Sequence, residues 1–478
     1  MKGSKQMSEK SNIERTALKA GSWYIICNFI NKGIAFITMP IFTRLLSKTV
    51  IGEFSNYTTW LNLFLIIFTL DVHATVTRAR FDFKTDLDGY LSSISIMSAV
   101  STIICALTMS LFWDFFQPIL GVPYEHFLIM CLTIVCYGAY EVFMIKQRVE
   151  YKYKMFSIMT LTVSIFTIFI SIVLVIVMED KLVGRIYGYT IPHAVVYVVM
   201  FLYIVNRGRK FNLSYCKYCL KVCLPFVPHL VSMTILSTSD RAMINNMVGS
   251  EATAIYTVGY SCGAIITLLS TSMNQAWAPW LSEQLHEKNY FATRKVSIRY
   301  LGMFALMVVV IALFGPELVM IMGGKSYIEA KYVLPPILAG CIFQFAYSMF
   351  VNIETYEMKT GGMALATVTA AAINVGLNYA FIPIYGYIAA AYTTLVGYGV
   401  LFLIHFILVK RLGMTKVYPV RKVCLTLATS SIVVILYTFL YMNNVVRYSL
   451  MVGVVIVGII LFRKYRDTLI SIIKELLS

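Results

Sequence analysis

Apolar residues fill this chain in long unbroken blocks, without the polar stripe that would turn one face of each segment to water. A helix that crosses a bilayer needs about 20 mostly apolar residues. Runs of that length lie at roughly 20–43, 49–72, 90–113, 123–145, 156–178, 183–205, 222–248, 252–277, 300–322, 332–353, 362–382, 386–409, 421–441 and 446–462. A soluble helical bundle of this size would show amphipathic periodicity, which these runs mostly lack. The pattern predicts an all-α polytopic membrane protein with about fourteen spanning helices.

Composition sharpens that picture. The 478 residues are 59% hydrophobic and 13% charged, with a mean hydropathy of +0.76. Soluble domains carry about 25% charged residues, so this chain cannot cover a water-facing surface. A soluble enzyme or a nucleic-acid binder is excluded despite the formal charge of +17. Fourteen spans with the N-terminus inside put most of the 40 Lys and Arg residues in the inner segments. The outer connections hold only Arg44, Lys48, Lys181, Arg185, Lys325, Lys331 and Arg447. That is the positive-inside bias, and it directs the basic excess to the anionic cytoplasmic leaflet. Both termini are therefore expected to be cytoplasmic, with 1–19 and 463–478 as tails. The apolar run near Ala20 is too long for a cleaved signal peptide. The ten Cys residues sit mostly inside apolar runs and read as small hydrophobes, with no disulfide framework.

An internal repeat is visible. Leu46-Ser-Lys-Thr-Val-Ile-Gly-Glu-Phe54 ends the first span and opens the second. Val248-Gly-Ser-Glu-Ala-Thr-Ala-Ile-Tyr256 does the same about 202 residues later. A six-span unit repeated in parallel predicts bundles at 20–205 and 222–409, joined by a cytoplasmic linker at 206–221. Two further helices occupy 410–462. Parallel repeats place a substrate site between the halves, around an axis along the membrane normal.

Four stretches carry a family resemblance. They are Pro40-Ile-Phe-Thr-Arg44 continuing to Gly52-Glu-Phe54, Asp240-Arg241 with Gly249 and Tyr256, Asn274-Gln-Ala-Trp277-Ala-Pro279-Trp280, and Pro383-Ile-Tyr-Gly386 continuing to Ala391. In this order and spacing the chain resembles the bacterial polysaccharide (O-antigen) flippases of the multidrug/oligosaccharidyl-lipid/polysaccharide exporter superfamily. The resemblance implies a two-bundle alternating-access transporter that moves an undecaprenyl-pyrophosphate-linked oligosaccharide from the inner to the outer leaflet. It also implies membrane lipids and other membrane proteins of polysaccharide assembly as partners, and a proton or sodium gradient, with no cofactor, as the driving force. Fourteen spans come closer to the peptidoglycan lipid flippases of the same superfamily. Two rival functions remain: a drug/cation antiporter of that superfamily, and a membrane glycan polymerase or ligase. The short outer connections leave no room for the latter's outer domain.

Ionisable residues inside spans are costly and are read first as functional. Lys32 and Arg241 are the cations deep in spans, in corresponding helices of the two halves. A pyrophosphate crossing hydrocarbon needs fixed positive charge along its path. Lys32, with Asn28 one turn away, and Arg241, with Asn245 one turn on, are thus the expected cavity residues. Arg44 guards the outer mouth, and Arg78 and Arg80 receive the cargo at the inner mouth. Asp240, Asp71 and Glu141 are candidates for ion coupling. Each has a structural alternative, as a helix-packing group or an interfacial ion pair.

Several motifs look like chemistry without carrying it. Gly323-Gly-Lys325-Ser326 lacks the upstream Gly of a phosphate-binding loop, since position 319 is Val319. Asp86-Leu-Asp88 sits in a connection too short for a nucleotide-sugar domain. Cys216, Cys219 and Cys223 read as packing rather than metal ligands. Trp277 and Trp280 suit an interfacial aromatic belt, and Gln344, Ser348, Asn352, Asn374 and Asn378 stripe spans ten and eleven. No catalytic constellation emerges.

Overall fold

The structure, a computed structural model, describes residue 23, residues 26–27, 29–31, 33–34, 36–359 and 361–477. Among these no strand occurs, and the chain is helical almost throughout. The helices are α1 (36–45, with described turns before it), α2 (Lys48–Thr69), α3 (Val76–Asp82), α4 (Leu87–Leu111), α5 (Trp113–Leu120), α6 (Tyr124–Ile134) and α7 (Tyr137–Val149). They continue as α8 (Tyr153–Val177), α9 (Lys181–Gly208), α10 (Leu213–Cys223), α11 (Val227–Met247), α12 (Ser250–His286) and α13 (Tyr290–Leu313). The last are α14 (Gly315–Gly323), α15 (Leu334–Tyr356), α16 (Gly361–Tyr385), α17 (Tyr387–Arg411), α18 (Val420–Leu440) and α19 (Asn444–Leu477).

Among the described residues, ten helices are long and apolar enough to cross a membrane, with α6 and α7 counted as one. Two more spans are bent pairs. One joins α2 to the segment Val72–Asp82 with a 53° bend, and the other joins α10 to α11 with a 51° bend. The first expected span lies partly outside the described residues, and the apolar part of α19 is the shorter stretch Asn444–Val457. Up to twelve of the fourteen expected spans are thus accounted for. Helix ends are called inner and outer below after the charge pattern of the sequence.

Local sequence explains the breaks. The Ser47 hydroxyl caps α2 by accepting from the Val50 amide, and Asp180 caps α9 by accepting from the Leu182 and Val183 amides. Gly249, with φ of +124°, makes the turn into α12 that a side chain would resist. At the inner end of α2, Leu70 and Asp71 both adopt left-handed φ values, 55° and 50°, which ends the helix before it resumes as a 3-10 turn.

In a bilayer, helices pack through small residues that let backbones approach. Gly188 of α9 lies against the Ser171 backbone of α8, and Gly52 of α2 lies against the Ser250 carbonyl of α12. In the second half α15 is the hub, packed on α12, α17 and α18, and 72% of its apolar stretch is buried. By contrast α8, at 22%, faces mostly outward. Of the two appended helices, α18 packs on α13 and α15, and α19 touches α13 and α18 lightly.

Two sequence expectations change here, and the reading of Asp86 and Asp88 as non-catalytic gains a structural reason. The connection 206–221, read as a linker, contains most of α10, whose buried Cys216, Cys219 and Cys223 dock it onto the first half. Their thiols reach carbonyls there: Cys216 that of Ser93, Cys219 that of Val72 and Cys223 that of Asp71. Trp277 is not in an interfacial belt, because α12 runs on to His286 and buries it. Its indole N–H donates to Tyr418 at 3.3 Å and its ring stacks on Tyr300. Asp86 and Asp88 are structural acids of the inner surface, paired with Lys210, Arg207 and Lys146.

Candidate functional site

A cavity of about 510 Å³ lies between the halves, toward their outer ends. Helices α1, α2 and α9 line it from the first half and α11 and α12 from the second. Its polar wall is made by Ser55, Thr58, Thr59, Asn62, Thr238, Thr257 and Ser261, and its cations are Arg185 and Arg241. No carboxylate is among the described lining residues. Such a wall offers hydroxyl and amide groups to a polyhydroxylated ligand and guanidinium groups to an anion.

The two arginines are held differently. Arg241, on α11, lays its guanidinium over the Tyr260 ring, 4.4 Å from the centroid. Arg185, one turn into α9, lies against both Phe42 and Phe54, 3.7 and 4.3 Å from their centroids, and donates to the Ser171 hydroxyl at 2.7 Å. Aromatic faces stabilise a cation without neutralising it. Each side chain is therefore fixed in place with its charge still available.

The outer side of the cavity is closed. Ser55 and Thr257 exchange a hydrogen bond at 2.7 Å across the halves. Asn246 of α11 donates to the Ile119 carbonyl at 2.7 Å, and Asn56 of α2 donates to the Leu120 carbonyl at 2.8 Å. Thr43 at the end of α1 donates to the Met322 carbonyl at 2.6 Å. Ser55 and Thr257 are 202 residues apart, the offset of the sequence repeat. A residue meets its own symmetry mate only on a twofold axis.

The expected cavity residues are distributed unevenly. Arg241 lines the cavity. Lys32 and Asn28 lie outside the described residues. Arg44 is exposed and is not in the lining: it donates to the Pro40 carbonyl at 2.7 Å and the Ile321 carbonyl at 3.2 Å, tying α1 to α14. Asn245 faces Gly121 at the outer closure instead of the cavity. Arg78 pairs with Asp82 one turn on, at 3.1 Å, and Arg80 bonds the Val149 carbonyl and covers the Phe81 ring. Both are therefore surface and loop-anchoring groups. Arg185 was missed because it stands at the outer end of its span, where charge counting assigns it to a connection. The signal available was an arginine flanked by Gly184 and Gly188, within reach of the Phe42 and Phe54 of the 40–54 motif.

The carboxylate candidates also separate. Asp240 is sealed: it accepts from Tyr256, from Thr394 at 2.6 Å and from Asn378 at 2.6 Å, joining α11, α12, α16 and α17. This is the use the Asn378 stripe serves, and Asn352 similarly donates to Asn274 at 2.8 Å. Asp71 pairs with His73 at 3.3 Å at the break after α2, and Glu141 is its electrostatic neighbour from α7. A further buried acid, Glu354, not singled out in the sequence, contacts His405 at 2.8 Å between α15 and α17.

The family model of the polysaccharide biosynthesis proteins matches residues 17–285. An uncharacterized membrane protein of Haemophilus influenzae is 24% identical over 378 residues, covering 75% of this chain and 89% of the relative. Among solved structures, the lipid II flippase MurJ in an inward closed conformation superposes with a TM-score of 0.66 at 15% identity, covering 93% of this chain and 99% of that one. An inward-facing multidrug-resistance MATE family transporter gives 0.60 at 14% identity, covering 81% and 95%. The two-sided helical architecture, the cavity between its halves and the matched length lead to one conclusion: the chain belongs to the polysaccharide biosynthesis protein family.

Proposed function

We propose that the protein is a flippase that carries an undecaprenyl-pyrophosphate-linked oligosaccharide from the inner to the outer leaflet of the cytoplasmic membrane, by ion-coupled alternating access. The observation that carries this reading is the cavity between the halves, with Arg185 and Arg241 among hydroxyls and Asn62 and with a closed outer rim. A pyrophosphate stripped of water needs fixed cations, and the glycan needs hydrogen-bonding groups. Arg241 is the cation expected from the sequence, and Arg185 joins it in the same wall. Lys32 remains part of the proposal as the cation of the first helix.

Alternating access then means that the outer contacts at Ser55–Thr257 and Gly52–Ser250 separate while the inner side closes. The family match and the likeness to the lipid II flippase and MATE folds support a transporter of this type. A drug/cation antiporter is disfavoured by a lining with two guanidinium groups and no carboxylate among the described residues. The test is deletion of the gene in a strain with one such flippase, with surface polysaccharide and lipid-linked intermediate measured together. Loss of polysaccharide with accumulation of the intermediate is expected, restored by the wild-type gene and not by Arg185→Ala or Arg241→Ala. Intact polysaccharide in the deletion strain overturns the reading.

A further inference from the structure

The inner half of the C-terminal bundle encloses a carboxylate and an imidazole whose presence the cavity does not explain. Glu354, near the end of α15, and His405, on α17, are each 1% exposed, and Oε1 meets Nδ1 at 2.8 Å. Their remaining polar atoms, Glu354 Oε2 and His405 Nε2, are buried and have no hydrogen-bond partner among the described residues. A pair retained only for helix packing normally has its outer atoms satisfied too, because an orphan polar atom in a span is expensive. Two orphans on one pair mark a place built to gain and lose something small.

We infer that Glu354 and His405 form a proton-binding site that loads when α15 and α17 are opened to water and is enclosed only when it holds one proton. With one proton between them the pair is neutral overall, whether written as carboxylate and imidazolium or as carboxylic acid and imidazole. With none it carries a negative charge, and with two a positive one. Enclosing either charged form at membrane depth is costly, so the closed bundle selects the one-proton form. In water near neutral pH, an ordinary glutamate is ionised and an ordinary histidine is mostly neutral, which is the form lacking that proton. Loading therefore breaks an O–H bond of hydronium on the acidic side and forms an N–H bond on His405. Release returns the proton to water on the other side, and no electrons are exchanged.

The surroundings connect this site to the cavity. The Tyr347 ring of α15 stacks on His405 at 5.6 Å. From α11, the half-buried His229 interacts electrostatically with His405 and is held by Thr367 of α16 at 2.8 Å. Glu357 and Lys359 after α15, and Lys410 and Arg411 at the end of α17, lie closer to the inner surface and are at least partly exposed. Among the described residues, α12, α13 and α18 place no ion pair or hydrogen bond on either member of the pair. Because α11 also carries Arg241, the helix that senses the proton through His229 is the one that forms the cavity wall. The inference deepens the transporter reading by naming its coupling ion, and it rests on that reading.

Hydrogen–deuterium exchange on the full chain in lipid nanodiscs tests it without any cargo. Peptides from the start of α2 and of α12 report the outer closure, and α4 controls for the fold. After correction for intrinsic chemistry, exchange at the closure should change about fivefold or more between pH of about 5.5 and about 8. Glu354→Gln, which keeps the shape and a hydrogen bond, should flatten that dependence. His405→Gln should do the same, and Glu354→Asp, which keeps a titrating group, should restore part of it. A closure indifferent to pH in the wild type, or a response that survives Glu354→Gln, overturns the inference. The export result in the deletion strain stands apart from either outcome.

Discussion

In the first half, Asp71 stands where a helix breaks and Arg185 where the cavity begins; in the second, Asp240, Glu354 and His405 stand inside unbroken helices. Asp71 follows two left-handed residues at the 53° bend after α2, and Arg185 rests between two phenylalanine rings on the cavity wall. Asp240, by contrast, is tied to three helices, and Glu354 and His405 are locked between α15 and α17. The same residue types thus do different work. A carboxylate with three donors holds a bundle together, whereas one at a helix break can follow the chain when it bends. The first half places its ionisable groups at a break and at the cavity wall, and the second places them at contacts between unbroken helices.

That contrast is broken most directly at Asp240. Asp240→Ala leaves the Tyr256, Thr394 and Asn378 donors without their acceptor in a sealed place, and should cost about 3 kcal/mol or more of stability. Asp240→Asn, which keeps an acceptor oxygen, should cost less. Asp71→Ala, at a break with a single histidine partner, should change the unfolding midpoint in detergent much less than Asp240→Ala. Equal losses at Asp71 and Asp240 would remove the distinction between the halves.

The cavity arginine gives the next effect. Arg185→Ala should lower export about tenfold, the equivalent of 1.4 kcal/mol, with the protein still in the membrane. Arg185→Lys keeps the charge but not the planar group that two rings can hold, so it should fall between wild type and alanine. Export assayed by surface polysaccharide, normalised to protein level, decides. Alanine at this position exporting as wild type would show that the charge beside Phe42 and Phe54 is only structural.

The outer closure is the next step down. A Cβ on Gly52 would lie 1.8 Å from the Ser250 carbonyl oxygen, so Gly52→Ala must push α2 from α12. The expected cost is about 1 kcal/mol of closure. Cysteines replacing Ser55 and Thr257, whose hydroxyls touch at 2.7 Å, should cross-link readily in the parent and more slowly with Gly52→Ala. Unchanged cross-linking would place the moving contact elsewhere.

What the sequence showed and hid follows from which forces are local. Helix class and most of the spans are properties of short stretches, and the apolar runs display them. The bend at Leu70–Asp71 was not visible, because neither residue is a Gly or Pro and its contact with α10, where the Cys223 thiol meets the Asp71 carbonyl, joins residues distant in sequence. Arg241 was found because a cation in mid-span stands out against apolar neighbours. Arg185 and Glu354 were hidden at span ends, where charge is ordinary, and only the approach of Phe42, Phe54 and His405 from distant helices gives them meaning. Trp277 was misplaced for a related reason: α12 continues about two turns past the apolar run that defined it.

The smallest effect concerns the docking of α10 on the first half, where the breaks of the two halves meet. Asp86 accepts from Lys210 at 3.0 Å and from Tyr215 at 2.9 Å, and the Lys210 contact above all holds its carboxyl below the usual aspartate range. A carboxyl lowered by folding contributes stability above its unfolded pKa of about 3.9, and that contribution is lost as pH falls through the lower folded value. Amide exchange across Leu213–Cys223, corrected for intrinsic rate, should therefore be flat from pH of about 7 to about 5 and rise only below about 4. The pair is exposed, so the rise should be only about twofold and should also appear in high salt at neutral pH. Asp86→Asn should show the faster exchange at every pH and lose the step. The helix should stay docked in all of these conditions, because Cys216, Cys219 and Cys223 bury its other face. If acid or salt instead releases α10 completely, the charges rather than the apolar face hold the helix against the first half.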